Sequence, residues 1–265
     1  MHSAPALPEL DTAWLQSLFD RFDAMAREAV QHPDPQEKAD GTVVTRLDRE
    51  VSAMVRDAVG RRYPESGLIS EEEPEHYRAD ADWQWVLDPL DGTAAFARGF
   101  PVWGMGLGVM HRGEPRGGFL RFPVVNETFT CMDGTVTVNG EPWHPAPVNR
   151  VPDTENVLIG SGLQGVLPMD ALRGIKLRNY GSSLYHLVCL GIGRAEAVIN
   201  ARCYLWDLVQ ALPFTRARGC VEVYCDGRPL SVKSILDATD DHFRVPEPFV
   251  VGEPHIVEQV LQRWR

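Results

Sequence analysis

The chain predicts a layered α+β fold, and three features point to it. Two amphipathic helical segments open the sequence, several strand-like runs separated by turn residues fill its middle, and strands alternate with helices after residue 151. With 265 residues, 44% of them hydrophobic, the chain can build one large core or two closely packed subdomains.

Leu15, Leu18, Phe19, Phe22, Met25 and Ala26 recur at helical spacing and predict a helix over residues 12–30, ended by Pro33 and Pro35. A polar stretch, QEKADGTVVTRLD, follows, with a short extended piece at Val43 and Val44. A second helix is expected over residues 47–62, with Val51, Met54, Val55, Ala58 and Val59 as its apolar face, and Tyr63-Pro64 stops it. WQWVLD, at residues 83–88, reads as a buried strand. Residues 102–110, residues 117–124, ETFTCM and TVTVNGEPW read as further strands, with Asn139-Gly140 as a hairpin turn. Beyond residue 151 strands are expected at 156–159, 197–200 and 221–224, and helices at 183–191, 207–216 and 256–264. The proline-rich run HPAPVNRVPD places a boundary near residues 145–153, giving subdomains 1–150 and 151–265.

The net charge of −11 argues against attraction of nucleic acid through the overall field. It would also repel a phosphorylated metabolite, which needs a local positive charge such as a bound metal ion. No apolar run approaches the roughly 20 residues that span a bilayer. Residues 1–10 carry no basic region followed by an apolar stretch. Cys131, Cys189, Cys203, Cys220 and Cys225 are scattered without a CxxC pair, as reduced structural thiols would be. A cytoplasmic location without a membrane partner is the expectation.

The strongest local feature is WVLDPLDGTAAF. A hydrophobic strand delivers Asp88, Pro89 forces a turn, Asp91 follows three residues on, and Gly92-Thr93 open a short helix. Two carboxylates on one tight turn repel each other unless a cation sits between them. Hard oxygen ligands at this spacing suit Mg²⁺, which takes one or two carboxylates and fills its sphere with water and phosphate. The carbonyl of Leu90 is a further oxygen within reach, and the amides of Gly92 and Thr93 could receive phosphate. The same letters also fit an Asp-Pro turn followed by an Asp N-cap. GLISEEE sets Glu71, Glu72 and Glu73 directly after an apolar strand, VVTRLD places Thr45 and Asp48 at a helix start, and CYLWDL ends an apolar stretch on Asp207. Each is weak alone; their joint occurrence in this order is specific.

These segments resemble the inositol monophosphatase-like, metal-dependent and lithium-sensitive phosphatases, which include inositol monophosphatase, fructose-1,6-bisphosphatase, histidinol-phosphatase and phosphoadenosine-phosphate phosphatase. WVLDPLDGTAAF is similar to the central signature, KADGTVVTRLD to the N-terminal loop, GLISEE to the metal-binding glutamate segment, NYGSSLYHLVCLGIGRAEAVI to the substrate segment and LWD to the C-terminal metal aspartate. The resemblance implies an αβαβα sandwich of the inositol monophosphatase/fructose-1,6-bisphosphatase type, two or three Mg²⁺ ions, and a homodimer.

It also implies roles, residue by residue. Glu71, Asp88 and the carbonyl of Leu90 would hold one ion; Asp88, Asp91 and Asp207 would hold a second. Thr93, partnered by Asp48, would orient and deprotonate the attacking water, with Glu71 completing the catalytic set. Glu72 would stand behind the site near a third ion, and Lys38 and Asp40 would belong to a loop that closes over it. Gly92 and Thr93 would bind phosphate; Gly181, Ser182, Asn200 and Asp207 would face the rest of the substrate. The implied substrate is an inositol-, sugar- or histidinol-phosphate-like monoester. The alternatives are a bisphosphate or 3′-phosphoadenosine-5′-phosphate, and a degenerate member that binds a phosphometabolite without turnover.

The chain departs from the family pattern at three places. Val209 and Gln210 stand where small residues are usual, Arg218-Gly219-Cys220 replaces Ala-Gly-Gly, and Asn200 replaces a glutamate that contacts substrate hydroxyls. Gly104, Gly106 and Gly108 fit a strand with small alternate residues rather than a nucleotide loop, and GSG at residues 160–162 is no nucleophile elbow. His186 reads as a satisfied core residue.

Overall fold

A computed structural model describes residues 11–39, 41–73, 78, 80–144, 155–163, 165–166, 174–237 and 243–264. Helix α1 (Thr12–Ala29) starts at Asp11, whose carboxylate accepts the amides of Ala13 and Trp14. It buries Leu15, Leu18, Phe19 and Phe22 along one stripe. Strands β1 (Gln36–Glu37) and β2 (Val43–Val44) pair as a small hairpin before α2 (Arg46–Arg62), which begins with a Thr45/Asp48 capping box.

The largest sheet has seven strands in sequence order: β3 (Gly67–Ser70), β4 (Trp83–Asp91), β5 (Gly104–His111), β6 (Glu114–Phe122), β7 (Glu127–Met132), β8 (Thr135–Val138) and β9 (Glu141–Pro142). Only β3 and β4 run parallel; each later neighbour is antiparallel. Short helix α3 (Thr93–Ala97) follows β4. Strand alternation divides the sheet between two cores. Trp85, Leu87 and Leu107 pack with α1 and α2 on one side, while Val86, Met110 and Leu120 face the other.

That second face is covered by α4 (Ser183–Gly191) and α5 (Leu212–Ala217). Beyond them lies a five-stranded mixed sheet of β10 (Asn156–Ile159), β11 (Lys176–Arg178), β12 (Ala197–Asn200), β13 (Val221–Tyr224) and β14 (Phe249–Gly252), ordered β11-β10-β12-β14-β13. Helix α6 (Val232–Asp237) lies against β6, and α7 (Pro254–Trp264) closes the far face of the smaller sheet. The sequence of layers is αβαβα, as expected from the resemblance.

One sheet is thus drawn from residues 67–142 and the other from residues 156–252. The proline-rich stretch read as a boundary lies outside the described residues, as does Asp40.

The helix expected over residues 207–216 is not continuous. A 3-10 turn at Leu205–Asp207 precedes α5, which begins only at Leu212. Pro213 explains the break: inside a longer helix it could not donate to the carbonyl of Val209, whereas at the first turn its missing N–H costs nothing.

The segment between these pieces seats Gln210, fully buried, against glycines of the large sheet. A Cβ on Gly108 would lie 3.1 Å from the Gln210 side chain, and one on Gly118 only 1.7 Å from its backbone oxygen. Gln210 Nε2 donates to the carbonyl of Gly106 at 3.2 Å. The alternate small residues of β5 therefore make room for a bulky neighbour, which is how the chain accommodates Gln210. Arg218 is likewise absorbed: it donates to the carbonyls of Leu190 and Ala195 and pairs with Glu253, tying the end of α4 to the start of α7.

Candidate active site

Strand β4 ends in an irregularity that brings two carboxylates together. Asp88 pairs with Gly106 and Asp91 with Gly104, so three steps along β4 oppose two along β5. In a regular strand residues three apart point to opposite faces; the extra residue resets the alternation. Asp88 Oδ1 accepts the Leu90 amide at 3.0 Å, fixing the turn around Pro89. Gly92 then takes φ +88°, a conformation natural to glycine, and a Cβ there would press on the carbonyls of Gly181 and Val102.

Asp207 reaches the same place from the 3-10 turn, where its Oδ2 accepts the Tyr204 amide at 2.7 Å. One carboxylate oxygen from each of Asp88, Asp91 and Asp207 lies within 4.8 Å of the others. Burial pushes all three carboxyls up: Asp91 to about 6, Asp207 to about 7, and Asp88 well above the ordinary carboxylate range, with Glu71, Asp91 and Asp207 adding repulsion at Asp88. Three hard oxygen donors at this spacing fit a divalent cation, which would relieve that repulsion.

Asp91 has a second task. Its Oδ1 accepts the Ser183 amide at 3.0 Å and its Oδ2 the Leu184 amide at 2.9 Å, and the Ser182 hydroxyl donates to Oδ2. Ser182 is also the N-cap of α4, accepting from the Tyr185 amide at 3.0 Å. Its single proton is thus committed to Asp91, although Ser182 and Gly181 both line the cavity as expected.

Glu71 follows β3 and lines this cavity of about 350 Å³. It is not one of the three clustered carboxylates; Lys38 Nζ lies 3.0 Å from it and 2.6 Å from Glu72. Burial raises the Glu71 carboxyl to about 8 against the opposing charge of Lys38. Burial would lower the Lys38 ammonium, but Glu71 and Glu72 outweigh it and hold it above its ordinary value.

Asp48 is fully buried at the start of α2, with Oδ2 accepting the Thr45 amide at 2.7 Å and the Thr45 hydroxyl at 2.5 Å. Its other oxygen lies 3.0 Å from Thr93 Oγ1, which is also 2.8 Å from the Leu90 carbonyl. Thr93 has one proton for these two acceptors, so it bridges Asp48 to the carboxylate turn.

Asn200, at the end of β12, is buried; its Oδ1 accepts the Ala201 amide at 2.9 Å and its Nδ2 donates to Ser183 Oγ at 3.1 Å. Glu71, Asp88, Leu90, Asp91, Gly92, Thr93, Gly181, Ser182, Asn200 and Asp207 all line this cavity; Lys38 and Glu72 flank it beside Glu71, and Asp48 lies behind it, in contact with Thr93.

The cavity holds residues that sequence reasoning missed. Asn179 accepts the Gly181 amide at 2.7 Å and donates to Ser161 Oγ at 3.2 Å, bridging two loops. Arg202 lines the cavity with φ +57°, and no pattern in the sequence marks it. His186 is buried, but not satisfied. Its Nε2 accepts the Tyr180 amide at 2.8 Å, and Nδ1 has no partner among the described residues. Burial lowers its pKa to about 4, so the ring is neutral and Nδ1 carries the proton.

The chain shares its fold with an IMPase/NADP phosphatase complexed with Mg²⁺ and phosphate, with TM-score 0.79 and 17% identity over 95% of this chain and 93% of that one. It is 27% identical over 194 residues to the histidinol-phosphatase of Chlorobaculum parvum, covering 69% of this chain and 73% of that protein. It is 32% identical over 241 residues to the Nus factor SuhB of Vibrio cholerae, covering 86% and 85%. The family model for the inositol monophosphatase family matches residues 9–247. The chain belongs to that family, a family of phosphatases. Among the described residues no helix is long and apolar enough to cross a membrane.

Proposed function

We propose that this protein is a Mg²⁺-dependent phosphatase that hydrolyses a phosphate monoester of a small metabolite. The observation that carries the reading is the convergence of Asp88, Asp91 and Asp207 on one buried point from separate parts of the chain. Mutual repulsion there is worth maintaining only if a cation occupies the centre. In this reading Asp88, Glu71 and the Leu90 carbonyl hold one ion, and Asp88, Asp91 and Asp207 a second. Bound Mg²⁺ supplies positive charge to the phosphate oxygens and makes a water acidic near neutral pH.

The chain's own residues supply the rest. Thr93 Oγ1, between Asp48 and Leu90, is placed to take a hydrogen bond from the attacking water and pass a proton toward Asp48 Oδ1. Glu71 is the remaining carboxylate beside that water. The amides of Gly92 and Thr93 receive the phosphate, while Gly181, Ser182 and Asn200 wall the organic part. Lys38 neutralises Glu71 and Glu72 behind the site. A cytoplasmic homodimer acting on a small phosphorylated metabolite, with no nucleic acid or membrane partner, belongs to the same reading, and the net charge of −11 supports its nucleic-acid part.

Phosphate release from inositol, sugar, histidinol and nucleotide phosphates, with and without Mg²⁺, tests this reading; activity unchanged by chelation or by Asp88→Asn would overturn it. The NADP phosphatase in the name of the matched structure supports the bisphosphate or phosphoadenosine alternative. The Nus factor relative supports a second reading, a member that binds without turnover. Tight binding of a phosphate ester with no hydrolysis would select it.

A further inference from the structure

Among the described residues the cavity is lined by four acidic side chains, Glu71, Asp88, Asp91 and Asp207, and by a single lysine or arginine, Arg202. Arg202 is exposed and has no hydrogen-bond or ion-pair partner among the described residues. Arg121 is paired with Asp23, Arg194 with Glu127, Arg216 with Glu222 and Arg218 with Glu253, whereas Arg202 shares its unpaired state among the described residues with Arg21, Arg98, Arg178 and Arg244, and of these five it alone lines the cavity.

Its backbone position is strongly determined. The backbone of Arg202 sits at φ +57°, which a non-glycine residue adopts only when its surroundings impose it. On one side Asn200 Oδ1 holds the Ala201 amide at 2.9 Å; on the other, the Cys203 carbonyl accepts the Val245 amide at 2.8 Å. Two glycines make the approach possible. A Cβ on Gly160 would lie 1.8 Å from Asn200 Oδ1, and one on Gly162 only 2.1 Å from the carbonyl of Ala201. The neighbouring Asn200 adds no charge that would neutralise the guanidinium.

We infer that Arg202 is a specificity-determining residue that selects phosphate esters whose organic part carries a second negatively charged group, a carboxylate or another phosphate. The inference rests on the phosphatase reading and narrows its substrate class. A guanidinium offers paired donors that match either group in a bidentate fit. The carboxylate cluster and its cations would take the scissile phosphate, leaving Arg202 the only fixed positive charge that the described lining residues offer to the other end.

The test compares matched esters that differ by one charge: phosphoglycerate against glycerol phosphate, and a fructose bisphosphate against fructose monophosphate. The wild type should favour the more acidic member of at least one pair in kcat/KM, and the pair that responds identifies carboxylate or phosphate as the group read. Arg202→Gln should reduce that preference about tenfold, mainly through KM, and Arg202→Lys should retain part of it, as expected for one partly exposed charge-assisted contact. Both variants keep a non-glycine residue at this backbone position, so they share its strain. A wild type indifferent to the extra charge in both pairs, or an Arg202→Gln variant that keeps the preference, overturns the inference. If neither these esters nor the wider panel of inositol, histidinol and nucleotide phosphates is hydrolysed, the phosphatase reading fails separately. Equilibrium binding of the same pairs then decides: loss of the preference in Arg202→Gln supports the charge selection, and equal binding ends it.

Discussion

Asp91 Oδ2 accepts the backbone amide of Leu184 at 2.9 Å, joining the end of a strand in the large sheet to the first turn of a helix packed between the sheets. The same carboxylate accepts from Ser182 and Ser183. It is an anchor between layers as well as a member of the acidic cluster, and the two tasks separate by mutation. Asp91→Asn puts an amide donor where backbone donors converge and leaves one without an acceptor, at a cost of about 1–3 kcal/mol in chemical denaturation. Asp207→Asn, whose carboxylate accepts from the Tyr204 amide alone among the described residues, should cost less, and relief of repulsion offsets part of it. Both should lose at least about a hundredfold in Mg²⁺-dependent kcat. Equal destabilisation by the two would refute the anchoring role.

The acidic cluster also sets a pH dependence. The folded pKa values of Glu71 (about 8), Asp91 (about 6) and Asp207 (about 7) lie above their ordinary values. Between about pH 4 and pH 8 the metal-free folded protein therefore holds protons that the unfolded chain has released, and its stability falls as pH rises. His186, lowered from 6.5 to about 4, acts oppositely and only below pH 6.5. Thermal melts in chelator should show Tm decreasing from about pH 6.5 to about pH 8. Mg²⁺ should raise Tm most at the alkaline end, where the carboxylates are ionised. A chelated Tm that climbs over this range would contradict the assignment.

Thr93→Val removes the hydroxyl between Asp48 and Leu90 while keeping the branched shape. Asp48 keeps both bonds from Thr45, so the fold should stay within about 1 kcal/mol of the wild type. The expected loss is about 10²-fold in kcat with little change in KM, the size of one acid–base contribution. Steady-state kinetics at saturating Mg²⁺ measure it; an unchanged kcat would remove Thr93 from the proposed proton path.

Gly118→Ala tests the packing around Gln210. The added Cβ meets the Gln210 backbone oxygen, which cannot rotate away as a side chain could. Overpacking of this kind costs about 1–3 kcal/mol. Denaturant unfolding should show that loss both in the wild-type background and in Gln210→Ala, because the obstruction is the main chain.

The acidic turn was legible because hydrophobic strand, proline, two aspartates and glycine each constrain the chain in ways that letters reveal. Asp207 was legible as a residue but not in its setting. A continuous helix over 207–216 fits the apolar spacing, and only the cost of Pro213 in a helix interior breaks it. Strand β14 was not read from the sequence; like β12 it is four fully buried residues, a length at which alternation cannot show. The Lys38 pair with Glu71 and Glu72 joins residues more than thirty positions apart, and local pattern carries no trace of it. Arg202 was invisible for a related reason: its importance lies in the company it keeps, and in a backbone angle that no side-chain pattern encodes. The open nitrogen of His186 depends on which neighbours arrive, and burial alone wrongly suggested a satisfied ring.

The extra residue in β4 has a consequence for how such a site can drift. Leu90 contributes through its main-chain oxygen, held beside Thr93 while its buried side chain only fills space. No exchange of side chain at that position can delete the oxygen, whereas a change in the number of residues between Asp88 and Asp91 displaces it at once. Position 90 is therefore tolerant in spelling while the turn is intolerant in length, and genetic variation should reach this oxygen through insertions and deletions rather than through substitutions at Leu90.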